Sequence, residues 1–282
     1  MNKRNKSAIQ KKTHILVVGN EKGGAGKTTC SMHLITSLLD QGYNIASIDT
    51  DSRQASLTNY INNRKAYNKN NPSFKVPVPL HFHLQESSLD SKIKKEEEEV
   101  KHFQHAFVQA QNHADYIIID TPGSYTNLSR LAHSYADTVI TPINDSFIDL
   151  DVLAKINNNE KLEASTPSIY SQMLWEQKLI KAKRGQGNID WVVLRNRLSS
   201  LDARNKRNVN KALEKLSKRI AFRIANGFSE RVIFRELFLQ GLTLIDLNKK
   251  GYSGKFNLSH VAARQELRDL LSVLGIPRTI VK

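Results

Sequence analysis

Residues 14–28 read HILVVGNEKGGAGKT, a strand-like apolar run that passes through a glycine-rich turn directly into a helical pattern. Few architectures accommodate that order. A strand apolar at almost every position must be covered on both faces, which is the situation of a parallel sheet between layers of helices. Gly23, Gly24 and Gly26 have no Cβ, so consecutive backbone N–H groups can converge at the positive end of the following helix, in a concavity sized for phosphate. Past the turn, Met32, Ile35, Leu38 and Leu39 share one helical face, and Gly42 is a stop signal.

Four further apolar runs alternate with helical stretches: NIASID (44–49), YIIID (116–120), TVITP (138–142) and DWVVLR (190–195). The alternation predicts an α/β fold, doubly wound, with a mostly parallel sheet and helices on both faces. At 282 residues and 39% hydrophobic content, one such domain has enough material for its core. We expect it over residues 13–275, between a basic tail at 1–12 and a short tail at 276–282. A helix is expected to begin near Gln54, with polar residues 62–77 as an exposed connection after it. The EEEE run at 96–99 is expected at a helix N-terminus, complementing its dipole ahead of Val100, Phe103 and Phe107. The HFH at 81–83 fits strand alternation without a metal.

The loop and two acidic strand ends define a candidate site. Gly23, Gly24, Ala25, Gly26, Lys27, Thr28 and Thr29 form the nucleotide-binding set, with Lys27 placed for the β- and γ-phosphates and the Thr28 hydroxyl for Mg²⁺. Asp120 closes the run YIIID and fits the carboxylate that holds the metal. Asp49 and Asp51, in IDTDSRQ, end another strand, where they would orient magnesium and an attacking water. ATP and Mg²⁺ are therefore the expected ligands. The loop is also irregular. Glu21 stands where an ordinary phosphate loop has its first glycine, and a second lysine, Lys22, follows it.

The formal net charge is +15, and most of it is local. Between Lys178 and Arg223 there are 14 Lys and Arg against three acids, a net of 14 − 3 = +11. Such a concentration points to a polyanion. Arg204, Arg207, Lys211, Lys215 and Lys218 recur at steps of 3, 4, 4 and 3, which puts all five on one helical face, with Val209, Leu213, Leu216 and Ile220 opposite. Aromatic residues are absent from that stripe, which favours phosphate contacts with nonspecific double-stranded DNA over base stacking on single strands. The single cysteine, Cys30, excludes an internal disulfide and reads as a small buried residue. No run approaches 18 apolar residues and no signal peptide is evident, so a cytoplasmic protein is expected.

The motifs GNEKGGAGKTT, IDTDSRQ and IIIDTPG together resemble the deviant Walker A ATPases of the ParA and MinD group, P-loop NTPases whose signature lysine precedes the double glycine. Through TPINDSFIDLDVL (141–153), DWVVLRNRL (190–198), RVIFRELFLQGLTLIDL (231–247) and SHVAARQELRDLL (259–271), the chain is similar to the MipZ family of division-plane positioning ATPases. The resemblance implies a slow ATPase that forms a homodimer when ATP-bound, with Lys22 of each chain reaching the other's phosphates. It also implies that Asp51 positions the water, that Asn196 contacts the adenine, that the protein associates with the nucleoid, and that ParB and FtsZ are partners. A ParA-type partition ATPase is the alternative. A MinD-like membrane switch needs a terminal amphipathic basic helix, whereas Glu266 and Asp269 make the stretch 259–274 look like a docked domain helix, so no stable membrane binding is expected. Dethiobiotin synthetase and the nitrogenase iron protein carry the same loop, but the former leaves the +11 segment unexplained and the latter needs two cysteines per chain.

Overall fold

The computed structural model describes residues 12–155, 166–197, 203–249 and 258–276. The chain begins β1 (His14–Val18), α1 (Lys27–Asp40), β2 (Ile45–Asp49), α2 (Ser56–Asn70), β3 (Leu80–His83) and α3 (Lys92–His113). It continues β4 (Tyr116–Asp120), α4 (Asn127–Tyr135), β5 (Thr138–Asn144), α5 (Phe147–Leu150) and a short antiparallel pair, β6 (Ala154–Lys155) and β7 (Thr166–Pro167). Then come α6 (Ile169–Lys183), β8 (Asp190–Asn196), α7 (Ala203–Ile220), β9 (Arg223–Asn226), α8 (Ile233–Gln240), a 3₁₀ turn (Asp246–Asn248) and α9 (Leu258–Val273).

Seven strands make one sheet in the order β3-β2-β4-β1-β5-β8-β9, and every neighbouring pair is parallel. Alternation along β1 explains the two covering layers. Ile15 and Val17 belong to one core, built with Phe103 and Phe107 of α3, Leu128 of α4, Leu174 of α6 and Leu213 of α7. Leu16 and Val18 face the other, with Met32 and Leu38 of α1, Leu57 of α2 and Leu270 of α9. This is the doubly wound sheet expected from the apolar runs. The register sets Val18 against Asp120 and Asp120 against Asp49, so the carboxyl ends of β1, β4 and β2 stand level, where open α/β sheets place their ligands.

Two local expectations are corrected. α2 does not stop near residue 62 but continues to Asn70, because Arg64 within its polar stretch is fully buried against Asp246. The acids at 96–99 begin one turn inside α3 and do not serve its N-terminus. Glu99 is buried, accepting from the Ser87 amide (3.2 Å) and from Asn127 Nδ2 of α4 (3.0 Å). In α9, Leu267 and Leu270 are buried as a docked helix requires, while Val261 is half exposed.

Two core histidines make folding sensitive to acid. His33 on α1 bonds the Thr29 carbonyl through Nδ1 (2.8 Å) and accepts the Leu244 amide at Nε2 (3.3 Å), an arrangement only the neutral ring satisfies. His133 on α4 lies between the Ser129 carbonyl and the Tyr170 hydroxyl. Burial pushes both down from 6.5 to about 4. The unfolded chain therefore binds more protons between those values, and stability falls as pH drops from 6.5 toward 4, by about 3 kcal/mol per histidine. Urea midpoints measured from pH 7 to pH 4.5 should decline through this window, and His133→Gln should flatten part of the slope; a flat wild-type profile would contradict the assignment.

Candidate functional site

Gly19 directly follows β1 where the chain passes against α4, and a Cβ there would meet His133 Nε2 at 2.4 Å. Asn20 then braces the loop, donating from Nδ2 to the Pro142 carbonyl and accepting the Lys22 amide at Oδ1 (2.7 Å). Gly26, the residue before α1, has φ +87°, and a Cβ on it would meet Asn196 Nδ2 at 2.2 Å. That position demands glycine twice over, by conformation and by space. Asn196, at the end of β8, donates to the Ala25 carbonyl (2.8 Å) and accepts the Phe228 amide (3.1 Å), tying the loop to the β9–α8 connection.

Inside the loop, Lys27 is almost buried and its Nζ donates to the Lys22 carbonyl (3.0 Å). Burial lowers its pKa, and the nearby carboxylates of Asp120 and Asp51 oppose the shift. Thr28 Oγ1 donates to Asp120 Oδ2 (2.7 Å) and Ser31 Oγ to Asp120 Oδ1 (2.9 Å). Burial first, then the Asp49 carboxylate, raises the Asp120 carboxyl above the usual range. Asp51 accepts the amides of Arg53 (3.2 Å) and Gln54 (2.9 Å) at Oδ1, which fixes the turn before α2. Lys27, Thr28, Asp51 and Asp120 border one cavity of about 550 Å³, with Gly23, Gly24 and Thr29.

Asp49 stands behind this cavity. Its Oδ1 accepts the Asp51 amide (3.0 Å), and its Oδ2 accepts the amide and hydroxyl of Thr58 (2.9 and 2.8 Å), so the carboxylate anchors the Asp51 turn to α2. A second cavity, about 540 Å³, adjoins the first and is lined by Asn196, Phe228, Phe234 and Phe238. Lys22 borders neither. Its amine pairs with Asp149 of α5, and the Lys22 side chain is 39% exposed against 4% for the aspartate.

Ser31, Asp149 and Arg197 at the cavity mouth were not anticipated. Ser31 had a signal, one helical turn beyond Lys27 and Thr28 on the same face of α1. Asp149 had none, lying 127 residues from Lys22.

On α7, Arg207, Lys211, Lys215 and Lys218 are exposed, while Val209, Leu213, Leu216 and Ile220 are buried in the core. The Arg204 side chain lies outside the described residues. Not all of the surrounding positive charge faces solvent. Lys181 pairs with Asp137 (2.6 Å) and Arg195 with Asp145 (2.7 Å), two acids outside residues 178–223, so the net charge of the segment overstates what a polyanion meets.

A phosphate loop entering a helix, a carboxylate held by the first hydroxyl of that helix, and a second lysine turned out of its own cavity describe a deviant Walker A site. The family model for ATPase MipZ matches residues 14–278. The chain belongs to the MipZ family of ATPases. A search of curated proteins gives no significant sequence match. Solved structures similar to this MipZ-family chain include the ATP complex of McdA from Cyanothece (TM-score 0.60, 17% identity, 96% of this chain and 99% of that one). A plasmid partition protein from Borrelia burgdorferi (TM-score 0.54, 17% identity, 93% and 100%) and MinD with Mg-ADP from Pyrococcus horikoshii (TM-score 0.53, 15% identity, 93% and 97%) are also similar. At these identities the likeness establishes the fold, that of the ParA and MinD P-loop NTPases. No helix among the described residues is long and apolar enough to cross a membrane.

Proposed function

We propose that this chain is an ATP-driven switch. It binds ATP as a monomer, closes into a homodimer around two nucleotides, spreads on nonspecific chromosomal DNA in that state, and restrains assembly of FtsZ, with ParB setting where dimers form. The observation that carries the switch is the separation of the two lysines: Lys27 borders its own phosphate cavity, whereas the amine of Lys22 faces Asp149 outside it. A cation at that position serves a second chain better than its own, in the manner of an arginine finger supplied in trans.

The residues fit a magnesium nucleotide. A Cβ on Gly23 or Gly24 would meet nothing within 4 Å, so the loop is open toward the cavity it borders. The Thr28 hydroxyl and the Asp120 carboxylate are the hard oxygen donors that magnesium prefers. Magnesium, when bound, would neutralise charge developing on the phosphates. Thr28 and Asp120 would hold it, Lys27 would orient the phosphates, and Asp51 would accept a hydrogen bond from the attacking water, with Asp49 anchoring the Asp51 turn from behind. Asn196 and the aromatic cavity would receive the adenine.

The exposed cations of α7 support the DNA reading, and pairing two such helices by dimerisation multiplies a weak contact through effective concentration. Lys211→Glu with Lys215→Glu should weaken binding of duplex DNA at least tenfold while ATP turnover stays near wild type, and wild-type affinity should fall with salt by ~0.9 log unit per log unit for each phosphate contacted. Equal loss of DNA binding and turnover would sink the assignment. For the division role the decisive experiment is sedimentation of FtsZ polymer with this protein and ATP. Polymer should decrease at stoichiometric amounts; unchanged polymer with intact DNA binding would favour the partition ATPase instead.

A further inference from the structure

Arg197 follows Asn196 at the end of β8 and has φ +49°, a left-handed backbone that costs an arginine about 1–2 kcal/mol. Of the other two described non-glycine residues with positive φ, Ala221 directly follows α7, where a left-handed residue is ordinary, and Ala55 is the N-cap of α2. Arg197 stands instead at a cavity seam. It borders both the phosphate cavity and the aromatic one, a position shared with Gly26, Thr29 and Phe238. Its neighbours fix it there: Arg195 is held by Asp145 and by Asn210 of α7, and Asn196 by the Ala25 carbonyl and the Phe228 amide. The Arg197 guanidinium is exposed and has no hydrogen-bond or ion-pair partner among the described residues. A strained backbone that sets an exposed cation between two cavities is the pattern of a residue shaped for a ligand.

We propose that Arg197 is a nucleotide-positioning residue that takes the phosphate next to the ribose. The proposal rests on the nucleotide reading of the two cavities. A nucleoside polyphosphate spanning them would leave its anionic tail beside Lys27 and Thr28 and its base among Phe228, Phe234 and Phe238. What crosses the seam is the α-phosphate. A planar guanidinium can meet two of its oxygens at once, which a lysine ammonium cannot. This is a separate task from those proposed for Lys27 and Lys22.

The test is calorimetric titration of ADP with Mg²⁺, under which the protein is expected to be monomeric, into wild type, Arg197→Ala, Arg197→Gly and Arg197→Lys. Loss of a charged hydrogen bond should weaken ADP binding about ten- to hundredfold in the alanine and glycine variants and less in the lysine variant. Glycine accepts the left-handed conformation, so Arg197→Gly should melt about 2–4 °C above Arg197→Ala while binding no better. Loss of ligand without loss of stability isolates the guanidinium. ADP affinity within twofold of wild type in both the alanine and glycine variants would overturn the proposal and leave the nucleotide reading standing. A wild-type protein that binds neither ADP nor ATP would overturn both.

Discussion

Replacing Lys22 with alanine is expected to leave ADP binding nearly intact and to abolish the ATP-dependent dimer. The backbone at this position belongs to the site, since the Lys22 carbonyl accepts from Lys27 Nζ at 3.0 Å, and alanine keeps that carbonyl. The side chain does not belong to the same chain's site, because the Lys22 amine pairs with Asp149 and borders neither cavity. Its proposed target is the phosphate of the opposing subunit, where a desolvated cation meets concentrated negative charge. Removing one member of a buried charged pair at an interface costs about 2–5 kcal/mol, a rise of ~30-fold to several thousand-fold in the dimer dissociation constant. Sedimentation velocity with ATP and a hydrolysis-blocking Asp51→Ala background would separate assembly from turnover. Wild-type dimerisation in the Lys22→Ala variant would place its amine outside the interface and end the trans assignment.

The parts of this molecule that could be read in advance are those whose cause is local. Apolar strands announce themselves because both faces of the sheet are covered, and the loop does because Gly26 needs both its positive φ and the space beside Asn196. The stripe on α7 followed from helical spacing alone. Long-range pairing had no such signal. α2 seemed to end early because Asn and Lys dominate residues 62–70, and only Asp246, 182 residues away, explains why Arg64 lies in the core. Asp49 looked like a ligand because it ends a strand beside Asp120, yet its oxygens turn to Thr58 and the Asp51 amide, a choice made by the start of α2. The basic segment was counted as one patch, although Asp137 and Asp145, from outside it, pair with Lys181 and Arg195. Periodicity reveals which face a residue occupies, and it says nothing about which residue arrives opposite.

The largest stability effect is expected at Asp246. Arg64 and Asp246 have no exposed side-chain surface and meet in a two-pronged pair, NH1 to Oδ2 at 2.6 Å and NH2 to Oδ1 at 2.9 Å. The remaining polar groups are satisfied: Arg64 also donates to the carbonyls of Pro77 (2.7 Å) and Gly241 (3.0 Å), and Asp246 accepts the amide and hydroxyl of Thr243 (2.8 and 2.9 Å). Burial alone would raise the Asp246 carboxyl, but the bonds and charge of Arg64 hold it below the usual range. Asp246→Ala leaves a guanidinium that cannot deprotonate stranded in the core, which costs about 3–5 kcal/mol, or on the order of 10 °C in Tm for a chain this long. Removing both charges is a different matter. Arg64→Met with Asp246→Leu fills similar volume without an unpaired ion and should recover most of the loss. The pair also ties α2 to the segment after α8, and Thr243 and Leu244 of that segment bond Thr36 and His33 of α1. The walls of the aromatic cavity at Phe234 and Phe238 therefore depend on it, and ADP affinity should fall in the single variant and return in the double. If the double variant melts as low as the single one, the bond geometry itself, and not relief of a buried charge, holds α2 in place.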